Sequence, residues 1–195
     1  GSNAKAANMA GDLVVQNARV RAVGENAGGF KPISEKDLFD CEYWSLEQAK
    51  LGKGAAPKFQ GKIVMITGGS GTIGFTIAKA FSKLGAQTIL IDKDETSLKK
   101  AVDSLGTGHG YLTLDVTSPD AAEQAMLGSI QKFGGLDILI SNAGAAHAGP
   151  MLSISEDDLR DAFELNFFSH YSFSTAAAKI FRNQNRGGQI LFNIC

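Results

Sequence analysis

The sequence predicts an α/β fold, a parallel sheet wound on both faces by helices, with a short helical extension ahead of it. Three observations carry that expectation. From residue 62 onward, short runs rich in Ile, Val and Leu alternate with longer helical patterns. Those runs are apolar throughout rather than at every second position, as strands buried on both faces must be, and helices between such strands imply parallel pairing through right-handed crossovers. The third is "TGGSGTIG", Thr67 to Gly74, which sets four glycines between the first such run and the first helical pattern.

The elements follow in order. Residues 5–32 are rich in Ala, Gly and Asn, with a weakly patterned helix over 13–23. Ser34 precedes Glu35, Lys36, Asp37, Leu38 and Phe39, which predicts a helix capped by Ser34 with acids in its first turn. Ser45 and Gln48 predict a second cap of the same kind. Residues 52–61, "GKGAAPKFQG", read as a linker. The expected division is therefore 1–58 for extension and linker and 59–195 for the sheet domain; the opening "GSNA" reads as a cloning scar.

Strands are expected over 63–67, 88–91, 111–116, 136–141 and 189–194, and helices over 73–84, 96–105, 119–133 and 156–181. Ser118-Pro119-Asp120 predicts a helix start: a cap, a Pro where no amide is needed, and an acid near the positive dipole end. Gly85, Gly106 and Gly134-Gly135 stand where helices should stop.

Composition narrows the function classes. With 195 residues, 44% hydrophobic and 20% charged, the chain suits one domain with a solid core and a modest appendage. A net charge of −1 argues against a dedicated nucleic-acid or anionic-membrane binder. No apolar run approaches the roughly 18 residues of a membrane span. Cys41 and Cys195 lack metal-ligand spacing and read as reduced thiols of a cytoplasmic protein. His109, His147 and His170 show no ligand pattern, so no metal is expected.

The glycines carry the chemistry. Gly69-x-Gly71-x-x-Gly74 within a strand–turn–helix unit is a dinucleotide-binding pattern, and it makes the expected sheet a Rossmann-type doubly wound one of about five strands. Early glycines turn the chain and let amides approach a pyrophosphate, while Gly74 lets the helix pack on the strand. The anion would rest on the helix N-terminus, among Gly68, Gly69, Ser70, Gly71, Thr72, Ile73 and Gly74. Asp92 ends the second strand, eighteen residues after Gly74, where a carboxylate can accept from ribose hydroxyls. The alternative is an acid that only opens the polar loop Lys93-Asp94-Glu95. A carboxylate repels a 2′-phosphate, and residues 68–73 offer no Arg or Lys to attract one, so NAD is expected rather than NADP. Lys93 points the other way. A methyltransferase would place an acid just before its glycines, where Val64-Met65-Ile66-Thr67 stands here.

Three further stretches follow in order: "LDV" (Leu114 to Val116), "SNAG" (Ser141 to Gly144) and "ELNFF" (Glu164 to Phe168). With "TGGSGTIG" they resemble the short-chain dehydrogenase/reductase family over residues 59–195. The resemblance implies that Asp115 and Val116 contact an adenine ring, and that Asn142, Ala143 and Gly144 steady the central strand and line the nicotinamide side. Asn166 corresponds to the family's catalytic Asn, which kinks its helix and holds a water in a proton relay. Turn or surface roles are the bland alternatives for each. The family usually has a small residue where Thr72 stands, and Gly68-x-x-Gly71-x-x-Gly74 looks more like its extended, epimerase-type members.

The family's catalytic Ser follows the fifth strand and its Tyr-x-x-x-Lys pair comes on the next helix. Cys195 stands at or just before the Ser position, and Tyr171 has Thr175, not Lys, four residues on. The expectation is a fragment carrying the cofactor half, inactive alone. "FDCEYWSLEQAKL" is similar to the linker of bifunctional rhamnulose-phosphate aldolase/short-chain dehydrogenases, which implies a small alcohol or hydroxy-aldehyde substrate resembling lactaldehyde. A non-catalytic nucleotide-binding or interaction module is the competing class. Because the family's long helix commonly packs on its twin, and Ile190-Leu191-Phe192 reads as an unprotected edge, a homo-oligomer is expected.

Overall fold

A computed structural model describes residues 4–42, 57–146, 149–150 and 152–194. The chain divides into two compact units, Gly1–Lys58 and Phe59–Cys195. In the first unit α1 spans Ala4–Asn26, well beyond the expected 13–23, and α2 spans Glu35–Glu42. Ser34 begins α2 as the sequence predicts: the Asp37 amide donates to Ser34 Oγ at 3.1 Å, and that hydroxyl donates to the Asp37 carboxylate at 2.7 Å. The second cap, at Ser45 and Gln48, lies outside the described residues, as do 52–56 of the linker.

The second unit opens with β1 (Ile63–Thr67) and alternates thereafter: α3 (Thr72–Lys83), β2 (Gln87–Asp92), α4 (Glu95–Leu105), β3 (Gly110–Thr113), α5 (Ala121–Phe133) and β4 (Ile138–Ser141). There follow α6 (Glu156–Phe163), a π turn (Glu164–Phe168), α7 (Ser169–Gln184) and β5 (Gln189–Phe192). All strand pairings are parallel, in the order β3-β2-β1-β4-β5, with Met65 opposite Ile89 on one side and Leu139 on the other.

Alternation along the central strand explains the double winding. Val64 and Ile66 point to one face, where they pack with Ala78 of α3 and Leu98 and Ala101 of α4. Ile63 and Met65 point to the other, against Ala125 of α5 and Phe173 and Ala177 of α7. Each such side chain contributes roughly 1.5–3 kcal/mol by leaving water, so every residue of β1 is apolar except the one at its functional end. Gly106 and Gly134 terminate α4 and α5 at φ +89° and +82°. Among the described residues no helix is long and apolar enough to cross a membrane.

Five elements of the second unit differ from expectation, the simplest being β5, which ends at Phe192 rather than 194. β3 stops at Thr113, so Leu114, Asp115 and Val116 leave the sheet: Asp115 accepts the Thr117 amide two residues on at 3.0 Å, a turn that ends the strand. Ser118 does not cap α5; its amide belongs to the same turn, donating to the Asp115 carbonyl at 3.0 Å, and the helix starts at Ala121 without a side-chain cap. β4 starts at Ile138 rather than 136, because the Gln184 amide takes both the N–H and the C=O of Leu136. The helix expected over 156–181 is broken by the π turn and runs on to Gln184.

Candidate functional site

In this strand order the chain winds one way from β1 to β2 and the other from β4 to β5. A crevice must therefore open beyond the carboxyl ends of β1 and β4. A cleft of about 780 Å³ lies there. One wall is the glycine turn, the other the loop after β4, and the floor is the sheet end.

Each glycine has a distinct job. Gly68 makes the turn at φ +63°, pressed so close that a Cβ would lie 3.0 Å from Ala143 Cα. Gly69 is buried against β2: its amide donates to the Ile91 carbonyl at 3.0 Å, and a Cβ would stand 2.8 Å from Leu90 Cβ. Gly71 precedes α3 with extended backbone and offers no side-chain cap, and a Cβ there would meet only the Gly68 carbonyl, at 3.4 Å. Gly74 faces back onto the turn, where a Cβ would stand inside the van der Waals radius of the Gly68 carbonyl and 3.0 Å from Asn142 Nδ2. Gly68, Gly71, Thr72, Ile73 and Gly74 line the cleft; Gly69 and Ser70 do not. The spacing that faces the cleft is thus Gly68-x-x-Gly71-x-x-Gly74, and Gly69 is bare for the sake of β2.

Ser70 serves the site indirectly. Its amide and hydroxyl both donate to Asp92 Oδ2, at 3.2 and 2.6 Å, while the Lys93 amide donates to Oδ1 at 2.8 Å. The carboxylate is thereby fixed at the cleft, with lone pairs left for further donors. Asp115 lines the same end. Hydrogen bonds from the Thr117 amide and hydroxyl, aided by the nearby Lys93 charge, hold its carboxyl below the usual range, so it is anionic at neutral pH. Val116 lines the cleft beside it.

On the opposite wall the chain end of β4 is tied to β1. Thr67 Oγ1 accepts from the amides of Asn142 and Ala143 at 2.8 and 3.0 Å, and Asn142 Nδ2 donates to the Thr67 carbonyl at 2.9 Å. Asn193, beyond β5, donates to Asn142 Oδ1 at 2.7 Å and completes a bridge across three strand ends. Asn142, Ala143 and Gly144 line the cleft, but Asn166 does not. Asn166 sits in the π turn, where its amide is engaged at both ends with the backbone of Ala145: Nδ2 donates to the carbonyl at 2.8 Å and Oδ1 accepts from the N–H at 3.1 Å.

The sequence reading missed Leu114, Thr117, Ala145, Asp161, Glu164, Leu165 and Asn193, all of which line the cleft. For Asp161 and Glu164 the signal was present, three residues apart on one helical face. Asn193 carries none, since its partner is 51 residues away.

The residues suit a dinucleotide. The uncapped first turn of α3 presents amides with no partner in their own helix, at the positive dipole end, beside a Gly71 open to the cleft. The carboxylates of Asp92 and Asp115 stand where sugar hydroxyls and base would follow.

Fold and cleft together define a Rossmann-type α/β protein with its site at the point where the strand order reverses. A family model described as short chain dehydrogenase matches residues 62–194, and the chain belongs to that family of oxidoreductases. A second model, aldolase class II, second domain, matches residues 1–51, in keeping with the resemblance to aldolase/dehydrogenase fusions. Among similar proteins, the uncharacterized oxidoreductase YuxG of Bacillus subtilis (strain 168) is 28% identical over 172 residues, covering 85% of this chain and 25% of that protein. The 3-oxoacyl-[acyl-carrier-protein] reductase FabG of Vibrio cholerae serotype O1 is 30% identical over 128 residues, 66% of this chain and 52% of that protein. The crystal structure of NAD+-bound xylitol dehydrogenase is similar with a TM-score of 0.66 at 29% identity, over 69% of this chain and 53% of that one. The chain thus spans about a quarter of the first relative and about half of the second.

Proposed function

We propose that this chain binds NAD, rather than NADP, as the cofactor part of an oxidoreductase acting on a small alcohol or hydroxy-aldehyde resembling lactaldehyde. The observation that carries the cofactor reading is the pairing, in one cleft, of an uncapped helix N-terminus at Gly71 with a carboxylate at Asp92 that Ser70 holds in place. Among the described residues four carboxylates line the cleft (Asp92, Asp115, Asp161, Glu164) against one ammonium, that of Lys93, a balance that disfavours an added 2′-phosphate. When bound, the cofactor supplies hydride transfer. The chain's own residues would hold it: α3 amides at the phosphates, Asp92 at the ribose, Asp115 and Val116 at the adenine end, and residues 142–145 at the far end. The substrate class rests on the aldolase-type match at residues 1–51.

A second reading, a nucleotide-binding module without catalysis, is favoured by one observation. Tyr171 is exposed on α7, outside the cleft, with Thr175 four residues on. We infer that residues 1–195 bind the cofactor without turning over substrate, and that the chain works in the cytoplasm. Self-association is also proposed, through Leu159, Phe163, Phe167 and Tyr171, which recur every fourth residue and are all exposed.

Isothermal titration tests the cofactor reading. Asp92→Ala should weaken NADH about tenfold, as loss of charge-assisted hydrogen bonds does, and weaken NADPH less. Equal loss for both dinucleotides would remove the ribose assignment.

A further inference from the structure

His170 is buried, at 6% exposure, on the face of α7 that packs on the sheet. Its neighbours on that face, Phe173, Ala176 and Ala177, are apolar. A buried imidazole among them costs desolvation that an aromatic hydrocarbon would not, unless its nitrogens find partners. One does: His170 Nδ1 shares a hydrogen bond of 2.6 Å with the hydroxyl of Ser141, itself buried at the end of β4. Phe192 of β5 meets the ring edge-on, 5.9 Å between centroids, and so helps fix its plane. Burial pushes the imidazole below its usual pKa, offset in part by a hydrogen bond with the backbone of Ala143, and this keeps the ring neutral at pH 7.

The significance lies in what is attached to Ser141. Residues 142–145 follow it directly and form the cleft wall opposite the glycine turn. That wall is tied to β1 through Thr67 and to β5 through Asn193. Among the described residues its hydrogen bonds to the helix layer come from two side chains four residues apart: Asn166, which takes both backbone groups of Ala145, and His170, which takes Ser141 and bonds the backbone of Ala143. One holds the tip of the wall and the other its root. The π turn carries Asn166, and such turns recur at functional sites because they re-aim a side chain without ending the helix.

We propose that His170 is a positioning residue which, with Asn166, holds residues 141–145 in the shape that seats the nicotinamide half of the dinucleotide. It rests on the cofactor reading above. With phosphates at α3 and a ribose at Asp92, the adenine half lies over β2 and β3. The other half must then extend toward β4 and β5, over the wall that His170 secures. His170 does not line the cleft; it acts through Ser141 and the backbone of Ala143.

The test compares NADH with ADP-ribose, which has the same adenine half and no nicotinamide. Calorimetric titration would be run on wild type, His170→Phe, His170→Asn and Ser141→Ala, with thermal melts alongside. His170→Phe and Ser141→Ala should weaken NADH about fivefold, the loss expected of one orienting hydrogen bond, and leave ADP-ribose unchanged. His170→Asn, whose amide can reach Ser141 in place of Nδ1, should recover most of the NADH affinity. Ser141→Ala keeps the experiment decisive if His170→Phe does not fold. Equal weakening of both ligands would make His170 a core residue and overturn the proposal. So would wild-type NADH affinity in both His170→Phe and Ser141→Ala, with the cofactor reading left standing. Wild type that bound neither ligand would overturn both.

Discussion

Gly71 and Gly74 lie three residues apart in the same turn, and one added methyl should have opposite consequences at the two positions. At Gly74 a Cβ would collide with the Gly68 carbonyl, a backbone atom, and press on Asn142 Nδ2, which is held by the Thr67 carbonyl. Neither neighbour can swing away. Overpacking of this kind costs about 3 kcal/mol at the upper end. Against it stands the helix-propensity gain of Gly to Ala, at most about 1 kcal/mol. The net loss of about 2 kcal/mol corresponds to a melting point lower by about 6 °C for a unit of this size. At Gly71 the backbone is extended (φ −70°) and the nearest atom to a Cβ is 3.4 Å away. Gly71→Ala should therefore lose no more than about 1 kcal/mol, the difference between Gly and Ala at a helix cap. Its methyl would instead occupy the space where phosphate approaches the α3 amides, and NADH affinity should fall about tenfold or more. Melting by circular dichroism and titration by calorimetry read the two effects separately. A Gly74→Ala protein that melts at or above wild type would refute the packing argument. A Gly71→Ala protein with undiminished NADH affinity would refute the placement of the phosphates.

Three further outcomes are expected. Asp137 is buried and accepts from the Ile63 amide at 3.0 Å and Lys62 Nζ at 3.1 Å, so Asp137→Ala should cost about 2 kcal/mol in urea unfolding by orphaning a buried N–H; a shift within error would show that water replaces the carboxylate. His109 Nδ1 accepts the Thr88 amide at 3.1 Å and burial lowers its pKa, so the folded state favours the neutral ring. Stability should hold above the unfolded value of about 6.5 and fall as pH drops through the lowered folded one, and His109→Gln should shrink that acid loss; an equal loss in the variant would exclude His109. For the proposed self-association, light scattering over a concentration series should show a dimer or larger that Phe163→Ser with Phe167→Ser converts to monomer, and a monomeric wild type at high concentration would exclude it.

The parallel sheet was legible because burial on both faces leaves an unmistakable apolar run, and β1, β2 and β4 all carry one; β5 carries the run as well, although at the sheet edge Leu191 and Phe192 stay exposed. The same signal overreached at 114–116. Leu114 and Val116 do pack against the core, yet they do so from a turn, since hydropathy records burial and not backbone pairing. The π turn left no mark in periodicity for a related reason, and only the resemblance, which implies a helix kinked at Asn166, pointed to it. Leu165, Phe167 and Phe168 carry the apolar pattern through Glu164–Phe168 with no proline or glycine, and one extra residue per turn leaves no mark in composition.

At the site, the same logic separates what spacing can convey from what only tertiary contact decides. "TGGSGTIG" contains two overlapping glycine patterns, and the sequence alone offers no means of choosing between them. The choice is made by Leu90, which stands against Gly69 from the neighbouring strand and removes it from the cleft. Asp92 was found because a strand-end acid at a fixed interval is a local signature. Its partner Ser70 went unassigned as such, although both were named, because the bond between them spans 22 residues and a chain reversal. Asn193 and His170 extend the pattern: each acts on the wall through a partner more than two dozen residues away, Asn142 and Ser141. Residues that touch a ligand tend to sit in motifs because the ligand fixes their spacing. Residues that hold those in place are spaced by the packing of helix on sheet, so they become visible only when the fold brings their partners within hydrogen-bonding distance.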